Sequence, residues 1–121
     1  MFNIRADKGK NRLYIKLGPV DTGEGEQILK KIKSETALLR PGFAGVSDIS
    51  DFKLNDPKEG VWAERILKCL GDSGMSVAVR VTGLKGKSQK KTGRHGKPLF
   101  IVETVKKADA ILDRLQDLGS Q

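Results

Sequence analysis

What this chain lacks narrows it first. One cysteine, Cys69, excludes an internal disulfide and suits a reducing compartment. No apolar run approaches the ~18 residues of a membrane-spanning helix. The opening Met1-Phe2-Asn3-Ile4-Arg5 lacks the pattern of a secretory signal. These absences lead us to expect a soluble cytoplasmic protein with no membrane contact. One histidine, His95, and one cysteine assemble neither a metal ligand set nor a nucleophile–base pair by spacing. Cys69 falls on the apolar side of a helical pattern, where a thiol is usually a small core residue. No cofactor or catalytic residue is expected, and the chain is read as a non-enzyme. No aspartate or glutamate lies between Asp72 and Glu103, and no aromatic between Arg80 and Pro98.

What is present is ordered. The 121 residues suit one domain, 1–121, with a single core, and the 37% apolar residues recur with clear periods. Phe2, Ile4 and Ala6 alternate with Asn3 and Arg5, then Leu13, Ile15 and Leu17 with Arg12, Tyr14 and Lys16. With Asp7 to Asn11 as a turn, this is an antiparallel hairpin. From about 24 to 40 the period becomes helical, with Ile28, Leu29, Ile32, Thr36 and Leu39 on one face, until Pro41-Gly42 stops it.

Phe43 to Val46, with Ile49, reads as a short interior strand. A helix then follows with well-marked ends. Asp56 is its N-cap, Pro57 its first residue and Glu59 the reach-back acid of a capping box. Val61, Trp62, Ile66, Cys69 and Leu70 form its apolar face, and Gly71 stands as the residue just past its end. Met75, Val77, Val79 and Val81 share one side of a further strand. Residues 84–98 hold three glycines and six cations and read as a basic loop within the domain. Leu99 to Glu103 is the last strand. Thr104 then N-caps a helix carrying Val105, Ala108, Ile111, Leu112, Leu115 and Leu118.

The element order predicts an α/β fold. A mixed, single-layer sheet of four to five strands opens with the hairpin and continues by parallel crossovers, with helices mainly on one face. The last strand can join by a parallel crossover or as a hairpin. Ile32, Trp62, Ile66, Val79, Ile111 and Leu115 are expected in the core.

Three stretches carry a family resemblance. They are Val46-Ser47-Asp48-Ile49-Ser50-Asp51-Phe52 with the acidic loop at Asn55-Asp56, the Trp62 to Leu70 helix, and Glu103 to Ala108 with Ile111 and Leu112. With the opening hairpin, they resemble a STAS domain, the module of bacterial anti-sigma factor antagonists and of sulfate transporter tails. The resemblance covers nearly the whole chain in order. It implies the fold and a regulatory, partner-binding role, with Asp48, Ser50, Asp51, Asn55, Asp56 and Lys58 at the partner surface. One departure matters. The family's antagonists carry a phosphorylatable serine at the start of the helix after the central strand, whereas 54–60 here holds no hydroxyl. The charge switch therefore has no acceptor there.

Two other chemistries compete with that reading. Asp48, Asp51 and Asp56 could gather at the carboxyl end of the central strand to hold a hard cation or small polar ligand. One helix cap and two solvated carboxylates are the simpler account. Lys85, Lys87, Lys90, Lys91, Arg94 and Lys97 carry six of the eight net positive charges. They suit nonspecific contact with nucleic acid or another polyanion, docking to an acidic protein, or plain solvation. The lack of interleaved aromatics argues against stacking on single strands. Gly83 to Ser88 ends like a phosphate-binding loop, but Val81 stands where the motif needs its first glycine. The leading expectation is a non-enzymatic interaction module with a protein partner; self-association stays open.

Overall fold

The computed structural model describes residues 2–18, 24–50, 59–83, 89–92 and 98–119, with backbone alone for 59–64, 67, 89–92 and 117–119. Strands β1 (Phe2–Asp7), β2 (Arg12–Leu17), β3 (Ala44–Asp48), β4 (Val77–Val81), β5 (Gln89–Thr92) and β6 (Pro98–Val102) form one sheet. Its order is β1-β2-β3-β4-β6-β5. The hairpin β1–β2 is antiparallel, and β2, β3, β4 and β6 run parallel. Helices α1 (Glu24–Thr36), α2 (Glu59–Asp72) and α3 (Val105–Gly119) pack on it. This is the expected single-layer α/β arrangement with one added strand. Residues 89–92, expected within a loop, form β5 on the outer edge, antiparallel to β6. Both modes of joining the last strand are therefore used: β6 is parallel to β4 and antiparallel to β5.

The period of two in the strands splits the core by face. Ile4, Leu13, Ile15 and Leu17 meet Ile28 and Ile32 of α1 and Leu70 of α2 on one face, with Phe43 and Met75. Ala44, Val46, Val79, Val81 and Val102 meet Ala108 and Leu112 of α3 on the other. Thus α1 and α2 share one face and α3 takes the opposite one.

Helix ends show how local chemistry sets the boundaries. In α1, Thr36 is buried and its hydroxyl donates to the Ile32 carbonyl at 2.8 Å. Leu38 and Leu39 then donate to the carbonyls of Glu35 and Thr36, three residues back, at 3.0 Å each. The α-helix thus stops at Thr36 rather than Arg40, and a tighter turn finishes it. In α2 the end falls past Gly71. The Met75 amide bonds the Leu70 carbonyl at 3.2 Å and the Gly74 amide bonds the Gly71 carbonyl at 3.1 Å. That pair of bonds is a Schellman motif, and Gly74, at φ 99°, supplies its left-handed residue. Gly71 stays helical, and the stop belongs to Gly74. The motif also explains Met75, whose side chain joins Leu70 in the α1/α2 core instead of lining up with Val77, Val79 and Val81. A β-carbon at Gly45 would lie 2.6 Å from the Met75 sulfur, so a glycine there lets the methionine in.

Of the expected core, Ile32 and Val79 are fully buried and Ile66 and Ile111 are half-buried. Leu115 is 39% exposed, contrary to expectation, because α3 has run past the apolar part of the sheet by that turn. The side chains of Trp62 and Leu118 lie outside the described residues.

Candidate functional site

The parallel strands β3, β4 and β6 end together, and the turns that follow them are tied to one another. The Ile49 amide bonds the Val81 carbonyl at 2.9 Å, Thr82 bonds Val102 at 3.0 Å and Gly83 bonds Glu103 at 3.0 Å. This stagger makes a fixed platform at the carboxyl end of the sheet, where open α/β folds place their sites. Gly83 is required twice over. Its φ is 72°, and a β-carbon there would lie 2.8 Å from Cβ of Ser50.

On this platform Asp48 and Ser50 form a closed local motif. Both the Ser50 amide, at 3.1 Å, and the Ser50 hydroxyl, at 2.6 Å, donate to Asp48 Oδ1. A carboxylate that takes two bonds from its own turn is held in one rotamer. Ser50 is exposed and Asp48 half-buried. Of the residues expected at a partner surface, these two are brought together, while Asp51, Asn55, Asp56 and Lys58 lie outside the described residues. No group of three or more His, Cys, Asp or Glu that could hold a metal ion occurs among the described residues. No helix among them is long and apolar enough to cross a membrane.

The basic segment is only partly described. Lys90 and Lys91 sit in β5, while Lys85, Lys87, Arg94 and Lys97 lie outside the described residues. An edge strand bearing lysine has a structural reason to exist, since charge on an edge opposes pairing with another chain. The other edge is guarded differently: the outward Ala6 amide of β1 donates to Glu35 of α1 at 3.3 Å.

The alternation of β2 hides a cluster that a solvent-facing reading of Arg12, Tyr14 and Lys16 passes over. Arg12 is fully buried beneath α3. Its guanidinium donates to Asp109 at 3.2 Å, Asp113 at 2.6 Å and Gln116 at 3.0 Å. The Tyr14 hydroxyl donates to the same Asp109 oxygen at 2.6 Å. Arg12 Nε is buried without a partner among the described residues. The bond from Arg12 holds the Asp113 carboxyl below its ordinary range. Burial, and then the bond to Asp109, raises the Tyr14 hydroxyl above its own. The signal for this cluster lay in α3, where Asp109, Asp113 and Gln116 recur at helical spacing as a polar stripe facing one buried cation. Its chemistry is structural: it clamps α3 to the start of β2.

No family model matches this chain, and neither does any curated protein. The likeness to STAS domains therefore rests on the residue patterns and the element order.

Proposed function

We propose that this chain is a non-enzymatic, STAS-like regulatory module that binds a protein partner through the carboxyl end of its parallel strands. The observation that carries the reading is the Asp48–Ser50 turn. It is a rigid, polar knob, seated on Gly83 and presented by bonded backbone. Preorganised polar groups of this kind make specific contacts at a small ordering cost. Asp48 Oδ2 has no partner among the described residues and could take a donor from the partner protein. Asp51, Asn55, Asp56 and Lys58 follow in the chain and would extend the same surface. The missing hydroxyl at 54–60 implies an interaction not gated by phosphate there.

The test is a pull-down from native lysate at low and high salt, with nuclease, using the parent, Asp48→Lys and Ser50→Lys. The parent should retain a protein in high salt that both variants lose, while circular dichroism melts of all three agree. Retention that ignores both substitutions would remove this surface from the reading.

A second reading draws on β5. This edge strand sets Lys90 and Lys91 on regular backbone within the basic stretch 84–98 of the sequence, a composition suited to neutralising phosphates without reading bases. Six such contacts on a duplex would give a slope of log affinity against log salt of about −5. Replacing Lys87, Lys90 and Lys91 by glutamine would flatten it by about 3. Fluorescence anisotropy with a labelled duplex measures both slopes, and a parent that does not bind at low salt disposes of this second reading.

A further inference from the structure

Helix α3 crosses the sheet obliquely. It starts at Val105, after the carboxyl end of β6, and its later turns lie over Arg12 at the start of β2. Among the described residues that path leaves one corner of the same face uncovered, and the corner is concave. A cavity of about 180 Å³ is lined there by Arg5, Tyr14, Lys16, Val46, Asp48 and Val105. The strand register orders these residues as a grid. Arg5 pairs with Tyr14 and Tyr14 with Val46; in the next row Asn3 pairs with Lys16 and Lys16 with Asp48. Three adjacent strands thus converge polar groups from two rows, and the first residue of α3 closes one side.

We propose that this corner binds a small organic anion, a carboxylate or phosphate monoester with a compact apolar body. Arg5 and Lys16 bring two cations against the one carboxylate of Asp48. Neither cation has an ion-pair partner among the described residues. Asp48 is engaged by Ser50 at 2.6 Å and forms no ion pair with its register neighbour Lys16.

Arg5 is also held in position. Its guanidinium lies 4.3 Å from the centroid of the Tyr14 ring. Stacking leaves the N–H edge of a guanidinium free to grip an oxyanion with two parallel bonds. Tyr14 is fixed in turn by its hydroxyl bond to Asp109, and Asp109 by buried Arg12. A chain of contacts therefore runs from the core to the exposed donor, with Tyr14 as a positioning residue. The Tyr14 ring and Val105 offer apolar surface for the body of the ligand. The volume equals roughly six waters, which suits a molecule of small-acid size. This site is separate from the partner surface except at Asp48, and its test involves no partner.

The experiment is an amide NMR titration of the ¹⁵N-labelled chain with benzoate and with phenyl phosphate, at constant ionic strength. Saturating shifts should centre on Arg5, Tyr14, Lys16, Asp48 and Val105, with a dissociation constant of about 1 mM, as expected for so few ligand atoms. The better of the two probes names the head group. Arg5 and Lys16 are exposed, so Arg5→Gln and Lys16→Gln should leave the spectrum folded and each weaken binding about tenfold or more, the value of a charge-assisted bond. Tyr14→Phe keeps the ring beneath Arg5 but loses the bond to Asp109 that fixes it, and should weaken binding about threefold, less than Arg5→Gln. Tyr14→Leu should match the loss seen in Arg5→Gln. Shifts that do not saturate, shifts centred on β5, or parent-like binding by Arg5→Gln and Lys16→Gln overturn the proposal.

Discussion

The two faces of the sheet are built on different plans. Beneath α1 and α2 the surface is apolar from Ile4 to Met75, and the helices answer it with Ile28, Ile32 and Leu70. Beneath α3 the apolar strip is narrower, running from Ala44 to Val102. Where α3 reaches β2, it is held by Arg12, Tyr14, Asp109, Asp113 and Gln116 instead. The first face is a source of stability with little geometric demand, because apolar contact is non-directional. The second exchanges apolar area for directed bonds, which fix where α3 lies and, among the described residues, leave the Arg5–Lys16 corner uncovered.

The largest effect is expected on the apolar face. Phe43 is 1% exposed at the heart of the α1/α2 core. Phe43→Ala should cost about 3–5 kcal/mol in urea unfolding, from lost transfer free energy and the cavity left behind. A loss below ~1 kcal/mol would mean that this face is loosely packed and the contrast between the faces false.

On the α3 face the cost should depend on which partner is removed. Asp109→Ala leaves buried Arg12 and the Tyr14 hydroxyl short of an acceptor, and should cost about 1–3 kcal/mol. Arg12→Met removes the buried charge and fills its space. It should fall within about 1 kcal/mol of the parent, because the carboxylates it leaves behind, Asp109 and Asp113, are 32% and 57% exposed and can be solvated, so that no charge stays buried without compensation. Two equal and large losses would show that the cluster provides net stability as the apolar face does. Chemical denaturation of both variants and the double mutant separates the cases, because residues sharing a network are not additive.

This contrast also explains what the chain made legible. Leu13-Ile15-Leu17 and Val77-Val79-Val81 alternate cleanly because one side of each meets a helix, so hairpin, strands and helix faces could all be read. Arg12 could not, since alternation marks a polar residue as outward and says nothing of a helix that covers the outward side. Gly71 and Gly74 are equal as letters; only backbone bonding shows which takes the left-handed turn. In β5 the lysines obey the needs of an edge, not of a pleated core, so 89–92 carried no strand pattern. At the site, Asp48 and Ser50 were legible as polar residues at the end of a strand, but the turn that bonds them was not. The cavity was not, because it depends on pairing Arg5, Tyr14 and Val46 across three strands.

Titration should mark the α3 face and leave the apolar face silent. Asp113 has a lowered carboxyl in the fold. Its contribution is present above its unfolded pKa of about 4 and is lost as pH falls through the lower folded value. Tyr14 is raised. Its contribution is complete below an unfolded pKa of about 10 and is lost as pH rises through the folded value, because the unfolded chain releases its proton first. Melting temperature against pH should therefore fall less steeply at the acid end in Asp113→Asn and at the alkaline end in Tyr14→Phe. Unchanged slopes in both would mean that the Arg12 cluster does not persist in solution.

The smallest effect is expected at the far end of α3. Leu115 belongs by period to the stripe of Ala108 and Leu112, yet it is 39% exposed while they are at 0% and 2%. The reason lies one residue on. The Gln116 side chain donates to the Lys10 carbonyl at 2.7 Å and accepts from Arg12 at 3.0 Å, which sets the last turns of the helix over the hairpin turn rather than over an apolar surface. An apolar side chain left this exposed loses little buried area when replaced and should be nearly neutral to change. Leu115→Gln should change stability by no more than ~0.5 kcal/mol. A loss above ~1 kcal/mol, with a melting temperature that rises with protein concentration in the parent alone, would show instead that a second copy covers this end of α3. Association that buries apolar surface stabilises the fold by mass action, and dilution removes it. Sedimentation velocity on parent and variant at the same concentrations separates the two outcomes, since only a covered Leu115 would shift the oligomer population.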